Sequence, residues 1–190
     1  MEVTFTKVDG KRYAVAIDRE HGPALVPRFA PGYDDLMPHD LAHFLVEEQF
    51  RIELGVFGQL AAGGGGIFAP APADNNSRFQ RSARRLATIG RDDMARSERL
   101  VVVAVAEWER GIGRRKHQPH VPIDDVLDDL EPAQLRACIA RLDHVSGQWK
   151  ALQFGGSLTF EWPRQLTFDA AGSQRGRRRS RQRASGRQSP

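Results

Sequence analysis

The sequence predicts a single compact α+β domain over residues 1–170, followed by a disordered arginine-rich tail over residues 171–190. An alternating hairpin lies at the N-terminus, helical stretches fill the middle, and a short β-rich segment precedes the tail. The expected architecture is an N-terminal β-hairpin, a bundle of about four helices and a closing C-terminal strand. A chain of 190 residues can bury one sizeable core, and no repeat of the kind that builds solenoids is visible.

The N-terminal hairpin is the clearest local pattern. Residues 3–8 and 13–17 alternate between apolar and polar side chains, and Asp9-Gly10 between them suits a tight turn that needs positive φ. Pro23, Pro27 and Pro31 then predict an extended connection along the surface.

A first helix is expected over residues 38–54, with Pro38 in its first turn. Gly55 interrupts it, and the next few residues predict one more short helix. The glycine run 63–66 and the proline-containing residues after it predict about a dozen flexible residues.

The second half of the chain predicts longer helices. Two helices are expected between Arg78 and Gly111, although residues 100–106 are β-branched enough for a buried strand. The last helix begins near Pro132, because apolar residues recur after it at three- and four-residue spacing. The segment GGSLTFEW then predicts the closing strand.

Composition bounds the class of protein. A hydrophobic fraction of 40% and a charged fraction of 27% are typical of a soluble globular protein. We find neither an apolar run near the roughly 18 residues that span a bilayer nor a signal-peptide layout, so we expect no membrane association and a cytoplasmic location. The excess of arginine over lysine indicates a GC-rich bacterial genome. The single cysteine, Cys138, suits a reducing compartment and is expected to be an inert core thiol.

The net charge of +4 describes the tail and not the domain. Seven arginines and no acidic residue lie beyond Gly172, and the rest of the chain has 24 acidic against 21 basic residues. The favoured interpretation of such a tail is a solubilising extension. The alternative is nonspecific contact with nucleic acid or acidic partners, because the tail has many arginines and no aromatic residue to stack on bases.

The segment MPHDLAHFLVEEQF, residues 37–50, carries the candidate site. His39, His43 and Glu47 follow one another at four-residue steps and therefore lie along one side of the helix, with Asp40 beside Glu47. The main apolar face lies on the other side. Because Val46 and Phe50 flank the polar stripe, we expect the helix to be covered on both sides, with the stripe in a pocket.

Three interpretations of this stripe stay open. His39, His43, Glu47 and Asp40 are candidate ligands of a divalent metal such as zinc, because imidazoles one turn apart can bind one ion. Alternatively, Glu47 or Asp40 orients His43 as a metal-free general base. The third interpretation is an ordinary polar helix face. A functional site should gain a further group from another element, and the candidates are Glu98, Glu107 and His144.

The pentapeptide HDLAH resembles the HDxxH helix motif of the ubiquinone-biosynthesis family that carries zinc-ligand-like residues. The resemblance implies that His39, Asp40 and His43 are metal ligands. The glutamate that completes the family's motif would fall at Gly55 here, and Glu53 and Glu47 are the nearest carboxylates. The segment is also similar to uncharacterised bacterial proteins with a PHDxxH sequence.

Other polar clusters predict less specific roles. His117 and His120 lie in a basic, proline-containing loop, and the aspartates of residues 124–129 precede a helix start, where the helix dipole favours them. The glycine run is no phosphate-binding loop, because no Lys-Ser or Lys-Thr follows it.

Two functional hypotheses result, and whether the protein is an enzyme stays undecided. The first is a small bacterial soluble protein with a metal-binding or acid–base site on helix 38–54. The alternative is a non-catalytic binding or adaptor domain whose basic tail contacts acidic partners or nucleic acid.

Overall fold

The structure is a computed structural model that describes residues 1–30, 34–114 and 130–168. It confirms the α+β fold, with a four-stranded antiparallel sheet and five α-helices within those ranges. In chain order the elements are β1 (Glu2–Asp9), β2 (Arg12–Asp18), β3 (Arg28–Ala30), α1 (His39–Gln49), α2 (Val56–Ala61), α3 (Ser77–Ile89), α4 (Arg91–Gly111), α5 (Pro132–Ala151) and β4 (Ser157–Glu161). Single 3-10 turns lie at Pro72–Asp74, between α2 and α3, and at Arg164–Leu166, after β4.

The sheet has the strand order β3-β2-β1-β4. The predicted hairpin forms β1 and β2, but no residue of its turn has the positive φ that we expected. The Asp9 carboxylate closes the turn instead, by accepting hydrogen bonds from the Lys11 backbone N–H and the Arg12 guanidinium. The predicted closing strand is β4, which pairs antiparallel with β1. The short strand β3 lies inside the stretch that we expected to be an extended surface connection.

One face of the sheet forms the core together with α1. Phe5 on β1 is fully buried, and its ring lies edge-on to Phe44 of α1 at 6.3 Å between centroids. Phe44 in turn contacts Phe57 of α2 and Trp162 just after β4. Residues 40–47 of α1 are all buried, because α4 and α5 cover the side of the helix that faces away from the sheet. This confirms that α1 is covered on both sides.

Two segments differ from expectation. Helix α1 ends at Gln49 and not at residue 54, because Arg51 adopts the left-handed conformation at φ 54° and breaks the helix. The glycine run is not an exposed linker: Gly64 and Gly65 are buried, and the Arg19 guanidinium donates to the carbonyls of Leu60 and Gly64. Residues 100–106, in contrast, belong to α4, which confirms the expected helix over the alternative of a buried strand.

Several predictions fall on residues that the structure does not describe. These are the tail 171–190, the pair His117 and His120, and the aspartates of 124–129. Within the described ranges, no helix combines the length and apolar character needed to cross a membrane.

Candidate functional site

The candidate site lies where the polar side of α1 meets α4. His43 is its central residue, with only 3% of its surface exposed. Its Nδ1 lies 3.1 Å from Oγ of Ser97 on α4, and its Nε2 lies 3.2 Å from Nε2 of His39. Glu98 brings its Oε2 to 3.7 Å from the same Nε2. Each ring nitrogen of His43 therefore faces a different set of partners.

Glu47 lies behind this histidine and is completely buried. Its Oε1 accepts hydrogen bonds from Ser97 Oγ at 2.7 Å and from the Val56 N–H at 2.7 Å. Its Oε2 accepts from the Phe57 N–H at 2.9 Å. The carboxylate therefore caps the first turn of α2, where backbone N–H groups lack intrahelical partners and the helix dipole favours negative charge.

Gly55 leaves the space that this carboxylate occupies. A Cβ atom at position 55 would lie 2.4 Å from Oε1 of Glu47, and the backbone there has an ordinary φ of −67°. The requirement for glycine is therefore steric. The Glu47 carboxylate thus occupies the space that a side chain at position 55 would take.

The hydrogen-bond chain indicates which ring nitrogen of a neutral His43 carries the proton. A hydroxyl has one proton, and Ser97 donates it to Glu47. Ser97 Oγ can then only accept from His43, so Nδ1 of a neutral His43 carries the proton. Nε2 is left with a lone pair directed towards His39 and Glu98. This tautomer is assigned from the network of partners.

Asp40 belongs to a different cluster. Its Oδ2 accepts from Arg28 Nη1 on β3 at 2.6 Å, and its backbone N–H donates to the Tyr13 hydroxyl at 3.3 Å. Burial, and then the negative charge of Asp40, raise the pKa of Tyr13. Asp40 therefore joins the start of α1 to the sheet, and its carboxylate is engaged away from the two histidines.

The structure thus brings together only part of the predicted set. His39 and His43 meet, Glu47 reaches His43 through Ser97, and Glu98 is the one residue of the three further candidates that approaches. Glu107 pairs with Arg110, and His144 is exposed on α5. Across the described ranges, no three His, Cys, Asp or Glu side chains are arranged to hold a metal ion.

Ser97 is the site residue that the sequence analysis missed. It lies three and four residues before the buried Leu100 and Val101, and therefore on the apolar face of α4. A serine on that face must find a hydrogen-bond partner, and this signal was present in the sequence. Cys138 is buried as expected, and burial raises the pKa of its thiol to about 12, so it is no nucleophile near neutral pH.

Comparisons of this chain with family models, with curated proteins and with solved structures yield no match.

Proposed function

We propose that α1 and α4 form an acid–base site in which His43 exchanges a proton through Nε2. The observation that carries this proposal is the chain Glu47–Ser97–His43, with distances of 2.7 Å and 3.1 Å between successive polar atoms. A base held by a hydrogen bond to a second group, which is itself oriented by a third, is an arrangement that recurs in general-base catalysis.

The environment of His43 supports this role. Glu47 and Ser97 are fully buried, whereas His39 is exposed and the Glu98 side chain is 58% exposed. The Nδ1 side of the His43 ring therefore faces buried residues, and the Nε2 side, which has the lone pair, faces exposed residues. The nearest oxygen of the Glu47 carboxylate lies 3.9 Å from Nδ1 of His43, and that of the Glu98 carboxylate lies 3.7 Å from Nε2. The reaction class is proton abstraction from a bound substrate or from water.

The histidine pair supports a second candidate function, the binding of a divalent metal. Two nitrogen ligands of a tetrahedral zinc ion lie about 3.3 Å apart, because each Zn–N bond is about 2.0–2.1 Å. The Nε2 atoms of His39 and His43 are 3.2 Å apart. His39, His43 and a rotated Glu98 would be the ligands, and Ser97 would support His43 from behind, as residues around metal ligands commonly do. Asp40 and Glu47 would not be ligands.

The tautomer of His43 tests the acid–base proposal. We expect long-range ¹H–¹⁵N spectra of the metal-free protein to show neutral His43 protonated at Nδ1, and Ser97→Ala to lose this preference. A wild-type His43 protonated at Nε2 would overturn the proposal. His144, which is exposed, is the internal control and should be unaffected by the substitution.

Activity and zinc binding separate the two candidates. In a screen of ester and phosphoester substrates with metal-free protein, any turnover should fall by about 10²- to 10⁴-fold in His43→Gln, the usual contribution of a general base. Turnover unchanged in that variant would contradict the acid–base role. Stoichiometric zinc uptake by calorimetry that disappears in both His39→Ala and Glu98→Ala would favour the metal role instead.

A further inference from the structure

A second surface, on helix α3, carries a strong positive charge that the site on α1 does not use. Helix α3 contains four arginines and no acidic residue. Arg78, Arg81 and Arg84 are all exposed, and we call these three residues the arginine face. None of them pairs with a carboxylate in the part of the chain that the structure describes.

The helix holds this face in a fixed orientation. At about 100° per residue, the three arginines cover an arc of about 120° on the side opposite Phe79 and Leu86. Leu86 is buried beside Gly64, and the Phe79 ring lies over Gly65. The Asn76 side chain caps the helix by accepting from the Phe79 N–H at 3.0 Å. The apolar side is therefore docked on the domain, and the arginines face solvent.

This positive surface is local. Residues outside the tail carry more acidic than basic side chains, so the domain as a whole does not attract anions. At the end of the sheet, Glu2 lies directly opposite both Asp18 and Glu161 on the neighbouring strands. Unpaired guanidinium groups concentrated on one helix of an acidic domain favour a polyanionic partner at that helix alone.

We propose that the arginine face of α3 binds the phosphate backbone of a nucleic acid. From Arg78 to Arg84 the helix rises about 9 Å, and three successive phosphates of one strand span two base steps, about 6.8 Å along the duplex axis. The long, flexible arginine side chains can cover this difference. Guanidinium groups at this spacing can each bind a phosphate. The face contains no aromatic residue, so it contacts the backbone and does not stack on bases. This proposal is independent of the acid–base site.

An anionic membrane is the competing polyanion, and the packing of α3 disfavours it. A helix that lies on a membrane inserts its apolar face between the lipids. In α3 that face is occupied by the glycine run of the domain itself. The arginine face can therefore meet a phosphate backbone without rearrangement, whereas insertion would require α3 to leave the domain.

The test measures binding of the full chain to a fluorescein-labelled 20-base-pair DNA duplex at several salt concentrations. In Arg78→Gln/Arg81→Gln/Arg84→Gln, we expect the dissociation constant at 0.1 M salt to rise by about tenfold or more, and the slope of log K against log salt to shrink by about 2.7. The control is a variant that loses three other exposed positive charges, in the hairpin turn and on α5: Lys11→Gln/Arg136→Gln/Lys150→Gln. We expect its dissociation constant and salt slope to stay close to those of the wild type.

Both variants retain all seven tail arginines. A difference between them therefore reports the contribution of the arginine face to binding and not that of the tail. Equal affinity and slope in wild type and the α3 variant would overturn the proposal, as would equal losses in the two triple variants. The proposal would also be overturned if the wild type bound vesicles of anionic lipid but not the duplex, and if the α3 variant lost the binding to vesicles. Far-UV circular dichroism confirms that both variants are folded.

Discussion

The polar stripe of α1 has a buried end and an open end, and the two differ in how their polar atoms are satisfied. At the buried end, both oxygens of Glu47 accept hydrogen bonds from Ser97 and from the backbone of α2. At the open end, His43 presents Nε2 to the exposed His39 and Glu98. A carboxylate surrounded by fixed donors stabilises a fold, whereas a buried ring with one nitrogen near the surface can exchange protons.

Removal of the Glu47 carboxylate should have the largest effect on stability. Glu47→Ala leaves two backbone N–H groups and a hydroxyl buried without their acceptor, so we expect the free energy of unfolding to fall by about 3–5 kcal/mol. Urea denaturation measures this loss. The neighbouring Glu48 is the matched control, because loss of its partly exposed pair with Arg141 in Glu48→Ala should cost about 1 kcal/mol or less. Equal losses in the two variants would contradict the special role of the buried end.

Gly55→Ala tests the same end from the other side of the contact. The added methyl group would lie 2.4 Å from the Glu47 carboxylate, which three hydrogen bonds hold in place, so we expect a loss of about 1–3 kcal/mol in unfolding free energy. Gly147 on α5 has open space around it, and Gly147→Ala should stabilise the protein by about 0.5–1 kcal/mol.

A double-mutant cycle sharpens this prediction. In a Glu47→Ala background the steric conflict at position 55 is gone, so Gly55→Ala should cost much less there than in the wild type. Additive losses would show that Gly55 is required for a reason other than the Glu47 carboxylate.

The hydrogen-bond partners at the buried end could not be predicted from the sequence. The four-residue spacing of His39, His43 and Glu47 correctly places them along one side of a helix, and the apolar residues around them correctly predict that α1 is covered. The spacing cannot show what faces each side chain. The partners of Glu47 are backbone N–H groups of α2, which carry no side-chain signature, so the carboxylate resembled a ligand.

The length of each sequence pattern explains which parts of the fold were predicted correctly and which were not. The hairpin and the last helix were predictable because their apolar periods extend over many residues. Strand β3 has only three residues, and Phe29 in its middle is exposed, so it shows no usable alternation. The end of α1 depends on the left-handed conformation of Arg51, a residue type that carries no preference for it.

The smallest expected effect lies at the open end. His39 is exposed, so His39→Ala should change the free energy of unfolding by no more than about 0.5 kcal/mol. His43→Ala should instead cost about 1–3 kcal/mol, because it removes the buried partner of Ser97 Oγ. Urea denaturation of the two variants gives the comparison directly. A cost for His39→Ala as large as that for His43→Ala would mean that the histidine pair stabilises the start of α1 in the way that Glu47 stabilises the start of α2. A small cost for His39→Ala, with the Nδ1–H tautomer of His43 retained, would mean that the contact at Nε2 of His43 is not needed for stability. The position of this atom would then support a role in proton exchange.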